Sequence, residues 1–152
     1  MSHKDEEIQA LNQRLARAEE EEGRKKKDLQ LKAEDEARRR SQLQTKFTNL
    51  NLRVQNACMT ATRTFHGRVV IQIDSRTGPL TEGFICAVKI EVPNLARTAN
   101  VQLMLHKDGV LLPLANEGGG QIHLSAVARP VDEADQNFLK EIFEEVVLAV
   151  SK

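Results

Sequence analysis

The first 65 residues contain no proline and a single glycine, Gly23, and this feature constrains the fold more than any other. Proline breaks a helix interior and glycine weakens it, so the stretch can run as one long helix. It is also densely charged: residues 1–46 hold 12 of the 22 Lys and Arg and 11 of the 22 Asp and Glu. Because so polar a helix cannot fold on itself, it needs a partner.

The apolar side chains of this segment have the spacing of a coiled coil. They recur at alternating intervals of three and four residues over 8–18 and again over 43–61, as the a and d positions of a heptad do. The register slips between Leu29 and Leu43. We therefore predict a dimer interface with the chain itself or with a paralogous coiled-coil chain. Its residues are Ile8, Leu11, Leu15, Ala18, Leu29, Leu43, Phe47, Leu50, Val54 and Ala57.

Domain boundaries follow from this pattern. We expect residues 1–66 to be the coiled-coil dimerisation helix, with 47–66 forming a junction that packs on a globular head at 67–152. Changing Leu50 and Val54 to aspartate should then separate the chains and leave the β-structure of the head intact.

Charged residues on the helix are arranged for a solvated surface. Acidic residues precede basic ones by four positions in six pairs, the favourable order on a helix. The pairs are Glu20–Arg24, Glu21–Lys25, Glu22–Lys26, Glu34–Arg38, Asp35–Arg39 and Glu36–Arg40. With zero formal net charge and no Trp or Tyr, the chain also lacks the basic field and aromatic platform of nucleic-acid binders.

After Gly67 the apolar period changes from about 3.6 residues to two, which predicts a sheet. Five strands follow, over 69–74, 84–92, 101–106, 110–114 and 121–129. Gly-rich turns join most of them, and Gly118–Gly120 is interpreted as a hairpin tip rather than a phosphate-binding loop. Pro130 ends the sheet, and Asp132 is predicted to cap an amphipathic helix over 138–150. The predicted class is α+β: a five-stranded antiparallel meander packed on a C-terminal helix.

Four apolar residues are assigned to the outer face of this sheet: Val70, Ile85, Met104 and Leu111. They are a candidate partner-binding surface, to be covered by the junction helix, by a partner head or by another protein.

The residues that carry chemistry are scattered. His3, His66, His106 and His123 have no Cys, Asp or Glu arranged beside them to complete a zinc site. Cys58 and Cys86 are isolated and lie in a predicted helix and a predicted strand, which is typical of buried thiols rather than nucleophiles. We expect no catalytic residue, no cofactor and no metal. The acidic N-terminus and the lack of a long apolar run predict an intracellular protein, cytoplasmic or nuclear, that uses neither a membrane nor nucleic acid as a partner.

The order of elements resembles the small coiled-coil subunits of kinetochores, whose heads are RWD-type α+β domains: coil to Phe65, strands Val69 to Ala128, helix Asp132 to Val150. The resemblance implies a non-catalytic structural or adaptor subunit that dimerises through its coil and presents its head to other proteins. Cytoskeletal and ciliary adaptors have the same layout. Alternatively, a meander closed by a C-terminal helix resembles part of a pleckstrin-homology domain, and this resemblance implies a lipid- or ligand-binding head. However, about 62 residues are few for the seven strands of such a domain. The loop after the first strand also has only one cation, Arg76, to bind a lipid phosphate.

Overall fold

A computed structural model describes residues 2–152 of the chain. It is an α+β structure with a long N-terminal helix, an antiparallel sheet of seven strands and a C-terminal helix. Helix α1 spans His3–Thr64 and helix α2 spans Gln136–Val150. The strands are β1 (Val70–Ile73), β2 (Gly78–Leu80), β3 (Gly83–Val92), β4 (Arg97–His106), β5 (Val110–Glu117), β6 (Gly120–Ile122) and β7 (Arg129–Pro130).

Packing divides the chain into two compact units, with the division after Ser41, inside α1. All described side chains of the first unit are exposed. The second unit, Gln42–Lys152, is the head together with the rest of α1. The predicted head begins at residue 67, whereas this compact unit begins at Gln42. Below, the head means the whole unit Gln42–Lys152.

The sheet of the head has the strand order β1–β3–β4–β5–β6, with every pair antiparallel. Its long central strands are β3 and β4, which pair from Gly83 opposite His106 to Val92 opposite Arg97. Both edges are assembled from short pieces: β1 and β2 pair with different parts of β3, and β6 and β7 with different parts of β5. Seven strands therefore fit into few residues because four of them have two to four residues each.

One face of the sheet forms the core with both helices. Alternate strand residues, including Phe84, Val88 and Leu103, are buried there. The stripe of α2 predicted from the sequence is buried in the same cluster, and so is the second half of α1. Phe47 of α1 stacks on Phe84 of β3 with ring centroids 4.6 Å apart, so α1 packs against the inner face of the sheet.

The predicted fifth strand, 121–129, is interrupted. Residues 115–117 of β5 pair with β6 and residues 110–111 pair with β7, and Pro113 lies between these two stretches. Only Gly118 and Gly119 separate the paired residues Glu117 and Gly120, so odd-numbered residues of β5 direct their backbone polar groups toward this edge. Proline has no N–H to donate there, which accounts for the break. Alternation in the predicted strand places Ile122, Leu124, Ala126 and Ala128 on one face; the first three pack against the core, whereas Ala128 is exposed.

Helix α2 begins later than predicted. Asp132 lies in a 3-10 turn, Val131–Glu133, and not at the N-cap. The N-cap is Asp135, whose carboxylate accepts a hydrogen bond of 2.8 Å from the backbone N–H of Phe138. This bond satisfies one of the free N–H groups at the start of a helix and fixes where α2 begins.

Candidate interaction surfaces

The first half of the predicted dimer interface is exposed. Leu11 is 50% exposed and Leu29 is 67% exposed, and Ile8, Leu15 and Ala18 are exposed as well. We call these five residues the N-terminal seam. On a helix, residues three and four apart share one face, so Ile8 to Ala18 form a continuous apolar strip. The surroundings are charged, and no part of residues 2–152 covers the strip.

The second half of the predicted interface lies inside the head, as the expected packing of 47–66 on the head implies, and it is therefore not open to a second chain. Leu43, Phe47, Leu50, Val54 and Ala57 are at most 8% exposed and belong to the core cluster. A stripe with 3.6-residue periodicity can pack against a sheet as well as against another helix, so spacing could not distinguish the two. The missed signal was composition. The outward positions of this stretch carry Gln, Thr and Asn where the first unit carries charged residues.

Polar contacts hold this part of α1 to the segment that precedes α2. The guanidinium of Arg53 donates hydrogen bonds to the carbonyl oxygens of Val131, at 3.1 Å, and Ala134, at 2.5 Å. Lys46 forms an ion pair with Asp132 at 3.3 Å. Hydrogen bonds from a charged donor are among the stronger ones, so Arg53 positions the end of the sheet relative to α1.

The outer face of the sheet carries a short apolar row. Ile85 of β3 lies opposite Met104 of β4, and Met104 lies opposite Leu112 of β5. Directly opposed residues point to the same side of a sheet, so these three share the outer face, where each is partly exposed. Val70 of β1 is 39% exposed. The sequence analysis named Leu111 instead of Leu112, and Leu111 is fully buried.

The turn before β5 explains this error. Every residue from Val110 to Leu114 is apolar, so alternation could not show which of them point inward. The phase is set by the three-residue turn Lys107–Gly109, which places Leu111 opposite the buried Leu105. Gly109 adopts the left-handed conformation that such a turn needs, with φ of 85°.

Charged groups near the outer face are already paired within the chain. Lys89 and Glu91 form an ion pair at 2.9 Å. Arg76 donates to Asp74 at 2.9 Å and to Asn100 at 2.9 Å, and its hydrogen bonds lower the pKa of the Asp74 carboxyl. The one cation of the loop after β1 is therefore engaged by a carboxylate, which leaves little free positive charge to attract a lipid phosphate.

The described residues include two buried cysteines and scattered histidines, and these are the groups most able to carry chemistry. No cluster of three or more His, Cys, Asp or Glu among residues 2–152 could hold a metal ion. His106 is the last residue of β4 and His123 comes directly after β6, and β5 lies between these two strands in the sheet. Burial raises the pKa of both Cys58 and Cys86 to about 12, which leaves these thiols protonated and poorly nucleophilic at neutral pH.

A shallow cavity of about 180 Å³ lies between α2 and the segment that joins β6 to β7. The Arg129 guanidinium stacks over the Phe138 ring at 3.6 Å and lines the cavity together with Glu141 and Glu145. Glu145 accepts hydrogen bonds from the backbone N–H and the hydroxyl of Ser125, each 2.8 Å long. With one cation and two carboxylates in its wall, the cavity has a formal charge of −1 and does not favour an anionic ligand.

No helix in the described part of the chain is long and apolar enough to cross a membrane. No protein-family model matches the chain, and no curated protein and no solved structure matches it either.

Proposed function

We propose that this chain is a non-catalytic structural or adaptor subunit. It pairs with another chain through the N-terminal seam and presents its small α+β head to other proteins in a larger assembly. A kinetochore-type subunit with an RWD-like head, or a cytoskeletal or ciliary adaptor, has this organisation. Support for the RWD-like assignment is the order of helix, antiparallel sheet and helix.

The observation that carries the proposal is the exposure of the seam. Leu11, Leu15 and Leu29 are among the large apolar side chains of a strongly charged helix segment, and each is at least half exposed within its own chain. In proteins most of the stability of a helix comes from packing of an apolar face, and this helix segment has no such packing within its own chain. A second helix along the seam would supply that packing in the manner of a coiled coil.

The head offers a place for a further partner. The outer row Ile85, Met104 and Leu112 is not covered by α1, which packs on the inner face. Methionine adapts to differently shaped partners, and the neighbouring charges are compensated within the chain, so this row suits an uncharged protein surface.

The mass of the full chain in solution tests the proposal. We expect light scattering to give the mass of two chains at micromolar concentration, and the substitutions Leu11→Asp and Leu15→Asp together to reduce it to one, because four aspartates would then face each other along the seam. The matched control, Ala10→Asp with Gln13→Asp, adds the same charge on the opposite face of the helix and should leave the mass unchanged. A single-chain mass for the unmodified protein, with an N-terminal helix that is mobile by NMR, would rule the proposal out.

A further inference from the structure

The charged residues beside the N-terminal seam distinguish between possible partners. With Ile8, Leu15 and Leu29 at a positions and Leu11 and Ala18 at d positions, Arg14 and Glu21 occupy g positions and Glu19 and Lys26 occupy e positions. In a parallel coiled coil a g residue contacts the e residue five positions further along the partner helix, and these contacts set partner choice and orientation.

We propose that the partner of the seam is a second copy of this chain, parallel and in register. The inference rests on the proposed function, since it requires that the seam pairs with a helix. In this alignment Arg14 meets Glu19 of the copy and Glu21 meets Lys26 of the copy, and both contacts occur twice because of the twofold symmetry. The remaining g residues, Glu7 and Asp28, meet the uncharged Asn12 and Ala33. Every charged g–e contact is therefore attractive.

The single chain leaves these groups available. Among residues 2–152, the side chains of Arg14, Glu19, Glu21 and Lys26 form no ion pair, and all four are exposed. None of the six ion pairs that the sequence predicted within this helix is present. Instead Arg38 pairs with Asp35 and His3 lies 3.4 Å from Glu7. The complementary charges of this face are thus not compensated inside the chain.

Other alignments of two copies are less favourable. A parallel copy shifted by one heptad brings Arg14 against Lys26 and Glu19 against both Glu7 and Glu21, so like charges meet. An antiparallel copy that keeps the a and d positions facing each other has three main overlaps: one puts Leu15 against Lys25, and another puts Leu11 against Glu22. The third pairs Ile8 with Ala18 and Leu11 with Leu15, but it leaves Leu29 without an opposing seam residue. Only the parallel in-register copy places all five seam residues against apolar partners.

Two polar residues inside the seam are compatible with this arrangement. Glu22 and Lys25 occupy consecutive a and d positions between Ala18 and Leu29. In register, Glu22 faces Glu22 of the copy and Lys25 faces Lys25 of the copy, which is repulsive. Each residue also contacts the opposite charge of the partner in the neighbouring layer, which offsets part of this repulsion. These layers lower the affinity and penalise partners that lack the complementary pair.

A charge-reversal series on the full chain tests the inference. Glu21→Lys turns two attractive contacts into repulsive ones, and we expect it to raise the dimer dissociation constant about tenfold, since each exposed contact changes from a weak attraction to a weak repulsion. The control Glu20→Lys makes the same change in net charge at the adjacent position, which faces away from the seam, and should alter the constant much less. Analytical ultracentrifugation of both variants gives the comparison.

Mixing two variants then identifies the partner and the register together. When the Glu21→Lys chain is mixed with a Lys26→Glu chain, the mixed dimer regains attraction at both g–e contacts while each homodimer is repulsive, so native mass spectrometry should show more mixed dimer than random pairing gives. Random pairing, or equal effects of Glu21→Lys and Glu20→Lys on a protein that is dimeric, would overturn the in-register copy but leave the paired seam intact. A monomeric wild-type chain would overturn both.

Discussion

Leu50 is the residue at which the predicted and the observed roles of α1 differ most clearly. The coiled-coil pattern predicted it for the dimer interface, where aspartate at Leu50 and Val54 would separate chains without harm to the head. In the structure Leu50 is fully buried in the core of the head. A mild truncation, Leu50→Ala, therefore tests which role the residue has.

The expected loss of stability follows from burial. Truncation removes the bulk of a fully enclosed side chain and leaves a cavity, and comparable Leu→Ala changes in protein cores cost about 3–5 kcal/mol. For a domain of roughly 100 residues, each kcal/mol lowers the melting temperature by about 4–8 °C, so a fall of at least about 12 °C is expected. Circular dichroism at the β-sheet signal measures it, and light scattering measures the mass in parallel.

Leu52 provides the control, because it lies two residues further along the same helix and is 55% exposed. Leu52→Ala removes the same atoms from a solvated position and should change the free energy of unfolding by less than about 0.5 kcal/mol. If Leu50 belongs to the head core, its effect on melting will be independent of protein concentration and the mass will not change. A dimer that dissociates while the head keeps its melting temperature would refute the reasoning, because stability of a shared interface depends on concentration.

Two further predictions concern the sheet. Gly83→Ala should lower the free energy of unfolding of the head by several kcal/mol, since the added Cβ would overlap the carbonyl oxygen of Leu105. Gly78→Ala is the control, because a Cβ there meets open space and should cost less than about 1 kcal/mol. Equal midpoints of the two variants in urea unfolding would contradict this. Hydrogen bonds from Arg97 lower the pKa of the Glu117 carboxyl, so the stabilisation from this pair is present above the ordinary glutamate pKa and is lost as the pH falls through the lowered value. The melting-temperature difference between wild type and Glu117→Gln should accordingly be largest at neutral pH and shrink toward pH ~3, and a constant difference would show that the pair contributes nothing.

The sequence predicted those elements in which the order of apolar and polar residues fits only one arrangement of the side chains. Alternation in β3 correctly predicted the inward residues Phe84, Cys86, Val88, Ile90 and Val92, because Lys89 and Glu91 mark the solvent face. It did not predict the burial of Ala87, which alternation assigns to the outer face. The same method failed for β5, where an unbroken apolar run carries no phase, and it missed β2, whose three residues pair only because β3 extends past them. Thr77 illustrates the second case. Its hydroxyl accepts from the backbone N–H of Ala87 at 2.9 Å and bridges a gap in the edge that no local pattern reveals.

Of the two halves of the predicted dimer interface, only the first is exposed in the structure. An exposed apolar strip in a charged helix is visible in the sequence, so Ile8 to Ala18 were assigned to a face that the structure leaves uncovered. Whether such a strip is covered by the same chain depends on tertiary contacts, and so Leu43 to Ala57 could not be separated from it by spacing alone.

The first apolar stripe of α1, Ile8 to Ala18, is exposed, whereas the second stripe, Leu43 to Ala61, is buried in the head. The part of helix α1 up to Ser41 belongs to one unit, and the rest of the helix belongs to the other. No proline or glycine interrupts the helix at this division. Leu43, Leu50 and Ala61 are buried in the same core cluster as residues of the sheet and of α2. A head that began at residue 67 would therefore expose the inner face of its sheet, at a cost of about 1.5–3 kcal/mol for each large side chain returned to water. Since a second helix cannot use a stripe that the head already covers, the proposed pairing between chains would be confined to the part of α1 before residue 42, where the N-terminal seam lies.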